Sequence, residues 1–308
     1  IYSRATCSVH YKCQNFIYGS VVESVRIIPR LDIKGPNLIK GIHLEGLRVL
    51  GTPAAFAERY YESGADELLF MDAVASLYDR NSLTPLIQEV AERIFIPLTV
   101  GGGLRTIDDV RTVLRAGADK VAINTAAVDD PELITALASE FGTSTIVIGI
   151  EAIEQPDGSY EAFCENGRTP TGRDAVAWAR EAVDRGAGEL LVTSVDREGT
   201  GQGFDEPLIA EITSHVDVPV IAHGGAGSPA DCISCHARAH PDGFAVSSML
   251  HYHLSEQRRA TELDLVRGRE EGNLEYLSAG APPGFLSPMG VDALKSALAD
   301  GGVPVRGV

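Results

Sequence analysis

Apolar residues in this chain fall into short, nearly continuous runs separated by longer stretches in which they recur every three or four positions. The runs are VRIIPRLDI (25–33), ELLFMD (67–72), IPLTV (96–100), KVAIN (120–124), TIVIGIEA (145–152), ELLVTSVD (189–196), VPVIAH (218–223) and GFAVSS (243–248). Runs rich in Val, Ile and Leu, bounded by turn residues, are the mark of strands buried on both faces. Between them, segments such as TPAAFAERYYESG, SLTPLIQEVAERI, TIDDVRTVLRAG and TGRDAVAWAREAVDRG carry the helical period. Gly64, Gly117 and Gly186 stand just past three of these segments, where a helix end favours a left-handed residue. Strand and helix therefore alternate, which predicts βα units around a parallel sheet.

The pattern also repeats. GADELLF (64–70) returns as GAGELLV (186–192), and IPLTVGGG (96–103) returns as VPVIAHGG (218–225). The displacement is constant: 186 − 64, 219 − 97 and 224 − 102 all equal 122. Two copies of a four-strand unit predict an α/β fold of the (β/α)8 TIM-barrel type, built from duplicated half-barrels. An open doubly wound sheet would not require this halving, and no G-x-G-x-x-G follows the first strand. The barrel is expected over 25–308, after an N-terminal extension at 1–24. An insertion at about 254–289 precedes a last helix at 291–303.

Composition narrows the partners. The chain has 308 residues, 44% of them hydrophobic, and a formal charge of −17. That charge argues against nucleic acid or an anionic membrane as partner. It leaves phosphorylated small molecules open, because backbone N–H groups hold phosphate without lysines. No apolar run approaches the roughly 18 residues of a membrane span. The first twenty residues resemble neither a signal peptide nor a targeting helix, so a cytoplasmic protein is expected. Five cysteines, an odd number, suggest reduced thiols. Cys232-Ile233-Ser234-Cys235-His236 has the C-x-x-C-H form of covalent haem attachment, but that use goes with export. Zinc held by Cys232, Cys235, His236 or His240 would lack a second cysteine pair. The ordinary reading is a helix with two half-buried thiols, and neither metal nor cofactor is expected.

In such barrels the chemistry sits at the C-terminal strand ends. The third and seventh strands end in Gly102-Gly103 and Gly224-Gly225, where a ligand oxygen can approach the backbone closely. One βα unit further on stand Asn124-Thr125 and Ser247-Ser248. Each pairing makes a phosphate-sized nest, and two nests across the mouth suit a ligand with a phosphate at each end. On the other diameter lie two acids in apolar strands, Asp32 and Glu151, whose pairing suggests general acid–base catalysis. Asp72, Thr193 and Asp196 could orient substrate or water. Lys40 could meet a phosphate or be an ordinary solvated lysine.

Long motifs carry a resemblance over residues 25–253: RLDIKG…LIKG, LRVLGTP, GADELLFMD, IPLTVGGGLRT, AGADKVAINTAAV, RGAGELLVTSVDREGTGQGFD and VPVIAHGGAG. The chain resembles the cyclase subunits of imidazole glycerol phosphate synthase, from histidine biosynthesis. The resemblance implies a cofactor-free barrel that uses ammonia on the bisphosphate phosphoribulosyl-formimino-aminoimidazole carboxamide ribonucleotide. The products would be imidazole glycerol phosphate and aminoimidazole carboxamide ribotide. It assigns proton transfer to Asp32 and Glu151, one phosphate to Gly102, Gly103, Asn124 and Thr125, and the other to Gly199, Gly224, Gly225, Ser247 and Ser248. It also implies a glutaminase partner on the N-terminal face, with ammonia passing a charged gate of Arg26, Glu67, Lys120 and Glu189.

The sequence departs from that family around the site. Glu151 stands where aspartate is usual, and His223 stands where a small residue is usual and is expected to crowd the second nest. Glu198 replaces the typical aspartate of the DREGT segment, and the 254–289 insertion is either a lid or a passive loop. Two readings stay open: the cyclase itself, or a paralogue serving another nitrogen-transfer pathway such as modified-sugar synthesis. A non-catalytic barrel that only docks a glutaminase would need neither Asp32 nor the nests.

Overall fold

The computed structural model describes residues 24–43, 45–73, 83–261 and 286–307. Its strands are β1 (Arg26–Lys34), β2 (Asn37–Ile42), β3 (Glu45–Gly51), β4 (Leu68–Asp72), β5 (Leu98–Gly101), β6 (Lys120–Ile123), β7 (Ile146–Glu154), β8 (Tyr160–Cys164), β9 (Thr169–Asp174), β10 (Glu189–Ser194), β11 (Val220–His223) and β12 (Gly243–Val246). Eight of them pair in parallel in the order β1-β4-β5-β6-β7-β10-β11-β12. The ring closes through β12 on β1. This is the expected (β/α)8 barrel, and the helices pack outside it.

The halving extends beyond the strands. Helix α1 (Pro53–Glu62) matches α6 (Ala175–Asp184), since 175 − 53 and 184 − 62 are both 122. Helix α2 (Thr84–Ala91) matches α7 (Glu206–Thr213), since 206 − 84 and 213 − 91 are both 122. Helices α3 (Ile107–Ala116) and α8 (Pro229–Ala239) each open on a capping box, Thr106 with Asp109 and Ser228 with Asp231. Each half also carries an antiparallel extension that the strand pattern did not reveal: β2 and β3 on β1, and β8 and β9 on β7. The remaining helices are α4 (Thr125–Asp129), α5 (Glu132–Phe141), α9 (Ser248–Thr261) and α10 (Val291–Asp300).

Because successive strand residues face opposite sides, the barrel interior is layered. An apolar layer of Ile28, Leu69, Ala122, Val147, Leu191, Ile221 and Ala245 fills the middle. Two positions earlier, at the N-terminal strand ends, lie Arg26, Glu67, Lys120 and Glu189. Two positions later, toward the mouth, lie Arg30, Met71, Thr193 and His223. The larger apolar core packs between sheet and helices.

Several expectations shift. Residues 1–23 and 262–285, most of the proposed extension and insertion, lie outside the described residues. The first part of the insertion continues α9 to Thr261, and α10 ends at Asp300 rather than 303. Ser248 begins α9 rather than ending a strand. Cys232 and Cys235 are fully buried on α8, not half-buried, and burial pushes the Cys235 thiol up to about 12. Among the described residues no group of three His, Cys, Asp or Glu is placed to hold a metal ion. Nor is any helix there long and apolar enough to cross a membrane.

Candidate active site

The mouth of the barrel concentrates buried charge. Asp32 on β1 and Glu151 on β7 both face inward, 6% and 8% exposed. Arg30, two residues before Asp32 and therefore on the same face, donates from Nε to Asp32 Oδ1 at 2.9 Å. Its Nη1 reaches His223 Nδ1 at 3.1 Å, and Thr193 Oγ1 lies 3.2 Å from the same nitrogen. Burial works against the Arg30 charge, but Asp32 and Glu198 outweigh it and hold the guanidinium above its usual value. His223 is pushed well below the imidazole range, first by burial and then by Arg30 and Lys40.

Glu151 behaves differently from an exposed carboxylate. Burial raises it to about 7, against the opposing pull of the Gly167 N–H, Arg30 and Asn124, while Asp32 adds to the rise. The Gly167 N–H comes from the tip of the β8–β9 hairpin and meets Glu151 Oε2 at 2.7 Å. Three consecutive left-handed residues, Glu165, Asn166 and Gly167, with φ of 55°, 60° and 73°, turn this tip over the mouth. There Glu165 N donates to Thr125 Oγ1, and Asn166 Nδ2 donates to the Ala73 carbonyl.

Two adjoining cavities open at this level. One is lined by Asp72, Gly102, Gly103, Asn124, Thr125 and Glu151 among others. The other is lined by Asp32, Lys40, Gly41 and Glu198, and Arg30, Met71 and Asn166 border both. The structure therefore brings the first expected nest, both carboxylates and Thr193 together. Lys40 is not solvated: it sits on β2, buried, with its ammonium paired to Glu198 in the loop after β10.

At the other nest, Gly224 and Gly225 are left-handed, with φ of 97° and 103°, as is Gly199 at 74°. Ser247 Oγ donates to the Arg30 carbonyl at 3.0 Å, and Ser248 is buried at the start of α9. The Asp196 carboxylate is turned elsewhere, accepting the Glu154 N–H at 2.9 Å.

The glycines have a reason besides ligand approach. A Cβ on Gly102 would lie 2.3 Å from the Asp72 carbonyl oxygen, and one on Gly225 would lie 2.0 Å from that of Gly203. Neighbouring backbone already excludes a side chain there. His223 does not swing freely into the second nest either, since Arg30 and Thr193 hold its Nδ1 edge.

At the opposite end, the four charged residues make a closed ring. Arg26 binds Glu67 at 2.7 Å and Glu189 at 2.6 Å, and Lys120 binds the same two at 3.2 and 2.9 Å.

Sequence reasoning missed Arg30 and the hairpin tip. The strand period would have found the first, because it sets Arg30 and Asp32 on one face. No local signal announces that Gly167 returns to Glu151.

Comparison with known proteins agrees with this geometry. The family model described as "Histidine biosynthesis protein" matches residues 26–256, which is 231 of 308 residues. Similar proteins bear the name imidazole glycerol phosphate synthase subunit HisF. The one from Legionella pneumophila is 55% identical over 206 residues, covering 67% of this chain and 97% of that protein. Those from Myxococcus xanthus and Streptococcus sanguinis are 49% and 42% identical, covering 73% and 74% of this chain and 89% and 90% of theirs. With three quarters of its length matched and its barrel closed as expected, the chain belongs to the histidine biosynthesis protein family.

Proposed function

We propose that this chain is the cyclase subunit of an imidazole glycerol phosphate synthase. It would use ammonia to convert the bisphosphate phosphoribulosyl-formimino-aminoimidazole carboxamide ribonucleotide to imidazole glycerol phosphate and aminoimidazole carboxamide ribotide. The observation that carries the reading is the pair of buried carboxylates, Asp32 and Glu151, on β1 and β7, the matching first strands of the two halves. They differ in environment: Asp32 is ion-paired to Arg30, whereas Glu151 is raised to about 7. An ion-paired carboxylate and a second one raised by burial suit the roles of base and acid respectively. Gly102, Gly103, Asn124 and Thr125 would hold one phosphate, and Gly199, Gly224, Gly225, Ser247 and Ser248 the other. A glutaminase docked at the N-terminal strand ends would deliver ammonia past Arg26, Glu67, Lys120 and Glu189.

The test is turnover of that ribonucleotide with an ammonium salt, together with rescue of a histidine auxotroph lacking its cyclase. Both should succeed, and Asp32→Asn should abolish both. A folded protein that binds the ribonucleotide but neither turns it over nor rescues growth would overturn the assignment. One observation favours a second reading. The buried Arg30–His223 contact and the Lys40–Glu198 pair cluster on one side of the mouth, as would suit an ammonia-channelling relative with another acceptor. Turnover restricted to a different acceptor would select it.

A further inference from the structure

The acid–base reading leaves unused the most buried cation at the mouth. Arg30 is 3% exposed and directs its guanidinium two ways, with Nε to Asp32 and Nη1 to His223 Nδ1. A guanidinium only donates hydrogen bonds and stays charged at any working pH. The contact with His223 therefore has one polarity: Nδ1 accepts and carries no proton. A neutral imidazole with a bare Nδ1 has its proton on Nε2. A second proton is opposed by burial and by the cations Arg30 and Lys40. Asp32, Glu151 and Glu198 are the carboxylates around the same space. Because the two ring nitrogens point to widely separated directions, Nε2–H is aimed away from Arg30 and Thr193. His223 ends β11 and directly precedes Gly224 and Gly225.

We propose that Arg30 is a positioning residue with two tasks: through Nε it holds the Asp32 carboxylate, and through Nη1 it fixes His223 as the Nε2–H tautomer. His223 then serves as a specificity-determining, neutral hydrogen-bond donor to a phosphate-ester oxygen at the end of β11. The donor half of this proposal rests on the reading of Gly224 and Gly225 as a phosphate nest. A neutral donor recognises an anionic ester without adding a further cation beside Arg30 and Lys40.

The tautomer can be read without any ligand, in the full chain labelled with 15N-histidine and with His223 assigned by its loss in His223→Asn. One Nε2–H tautomer, unchanged from pH 5.5 to 8.5, is expected. Arg30→Met should give a tautomer mixture or a titrating ring, and Arg30→Gln, which keeps a polar side chain able to accept as well as donate if Arg30→Met fails to fold, should do the same. A protonated Nδ1 in the wild type, or an unchanged ring in the folded variants, overturns the positioning role. Inorganic phosphate should then shift the His223 Nε2 signal along with the Gly224 and Gly225 amides. Amides that move without the ring overturn the donor role alone. If neither moves, the donor role falls together with the nest beneath it. In turnover, His223→Asn should raise KM about tenfold, the scale of one lost hydrogen bond, with a smaller change in kcat. A purely structural histidine would instead lose kcat and stability without that split.

Discussion

Glu151 Oε2 accepts the backbone N–H of Gly167 at 2.7 Å, a contact between two residues sixteen positions apart that ties the β7 carboxylate to the tip of the β8–β9 hairpin. A hydrogen bond to the charged form favours ionisation, and burial opposes it. Here burial wins, and Glu151 is held at about 7. Burial thus raises the acid more than the hairpin N–H lowers it.

That balance makes stability depend on pH. Between 4.5, the ordinary value, and about 7, folded Glu151 keeps a proton that the unfolded chain has released. Stability from this group is full below pH 4.5 and declines as pH rises through 7. The difference amounts to about 3 kcal/mol. Urea unfolding at pH 5 and pH 8 should show this loss in the wild type and much less of it in Glu151→Gln. Equal slopes for both proteins would contradict the assignment. In turnover, Glu151→Gln should cost on the order of a hundredfold or more in kcat if Glu151 moves a proton.

Lys40 and Glu198 form a buried pair, 4% and 1% exposed, joining β2 to the loop after β10. Removing the lysine takes away the nearest cation from a carboxylate that cannot reach bulk water. Lys40→Met should therefore destabilise by about 3–5 kcal/mol, the usual range for breaking a buried pair. Adding Glu198→Gln should recover part of that loss, because the buried carboxylate deprived of its lysine goes too. Additive losses in a double-mutant cycle would mean that the two side chains are not coupled.

The barrel was legible because its signals are local and repeated. The apolar runs ending at Gly102 and Gly224, 122 residues apart, specified both the halving and the mouth. Asp32 and Glu151 stood out as acids within apolar strands, and both lie at the cavities. The antiparallel extensions were not legible, since NLIKGI and YEAFC are too short and too mixed to announce strands. Nor were the pairings Arg30–His223 and Lys40–Glu198, which span 193 and 158 residues and exist only once the barrel closes. The helix period marked Cys232 and Cys235 as helical, but not how deeply α8 packs.

Backbone crowding at the strand ends predicts a sharp contrast among glycines. A Cβ at Gly225 would stand 2.0 Å from the Gly203 carbonyl oxygen, at a left-handed φ of 103°. Gly158 is also left-handed, at 84°, but has nothing within 4 Å of that position. Gly158→Ala should cost about 1 kcal/mol from backbone strain alone. Gly225→Ala should cost about 3 kcal/mol or more, since strand-end backbone must also move. Comparable midpoints in urea for the two variants would show that the Gly203 segment yields freely.

The ring of Arg26, Glu67, Lys120 and Glu189 offers the last test, of conduction rather than chemistry. Each side chain binds two neighbours of opposite charge, so removing one member opens the ring. Lys120→Met leaves Glu67 and Glu189 sharing Arg26, which should destabilise by about 1–3 kcal/mol given its partial exposure. The ring lies below the apolar layer of Ile28, Leu69 and Leu191, remote from Asp32 and Glu151. If ammonia from a glutaminase passes here, the variant should change glutamine-driven turnover in the complex more than turnover driven by an ammonium salt. The ratio of the two rates is the measurement. A ratio equal to that of the wild type, with both rates lowered in step, would reduce the ring to structural pairing at the base of the barrel.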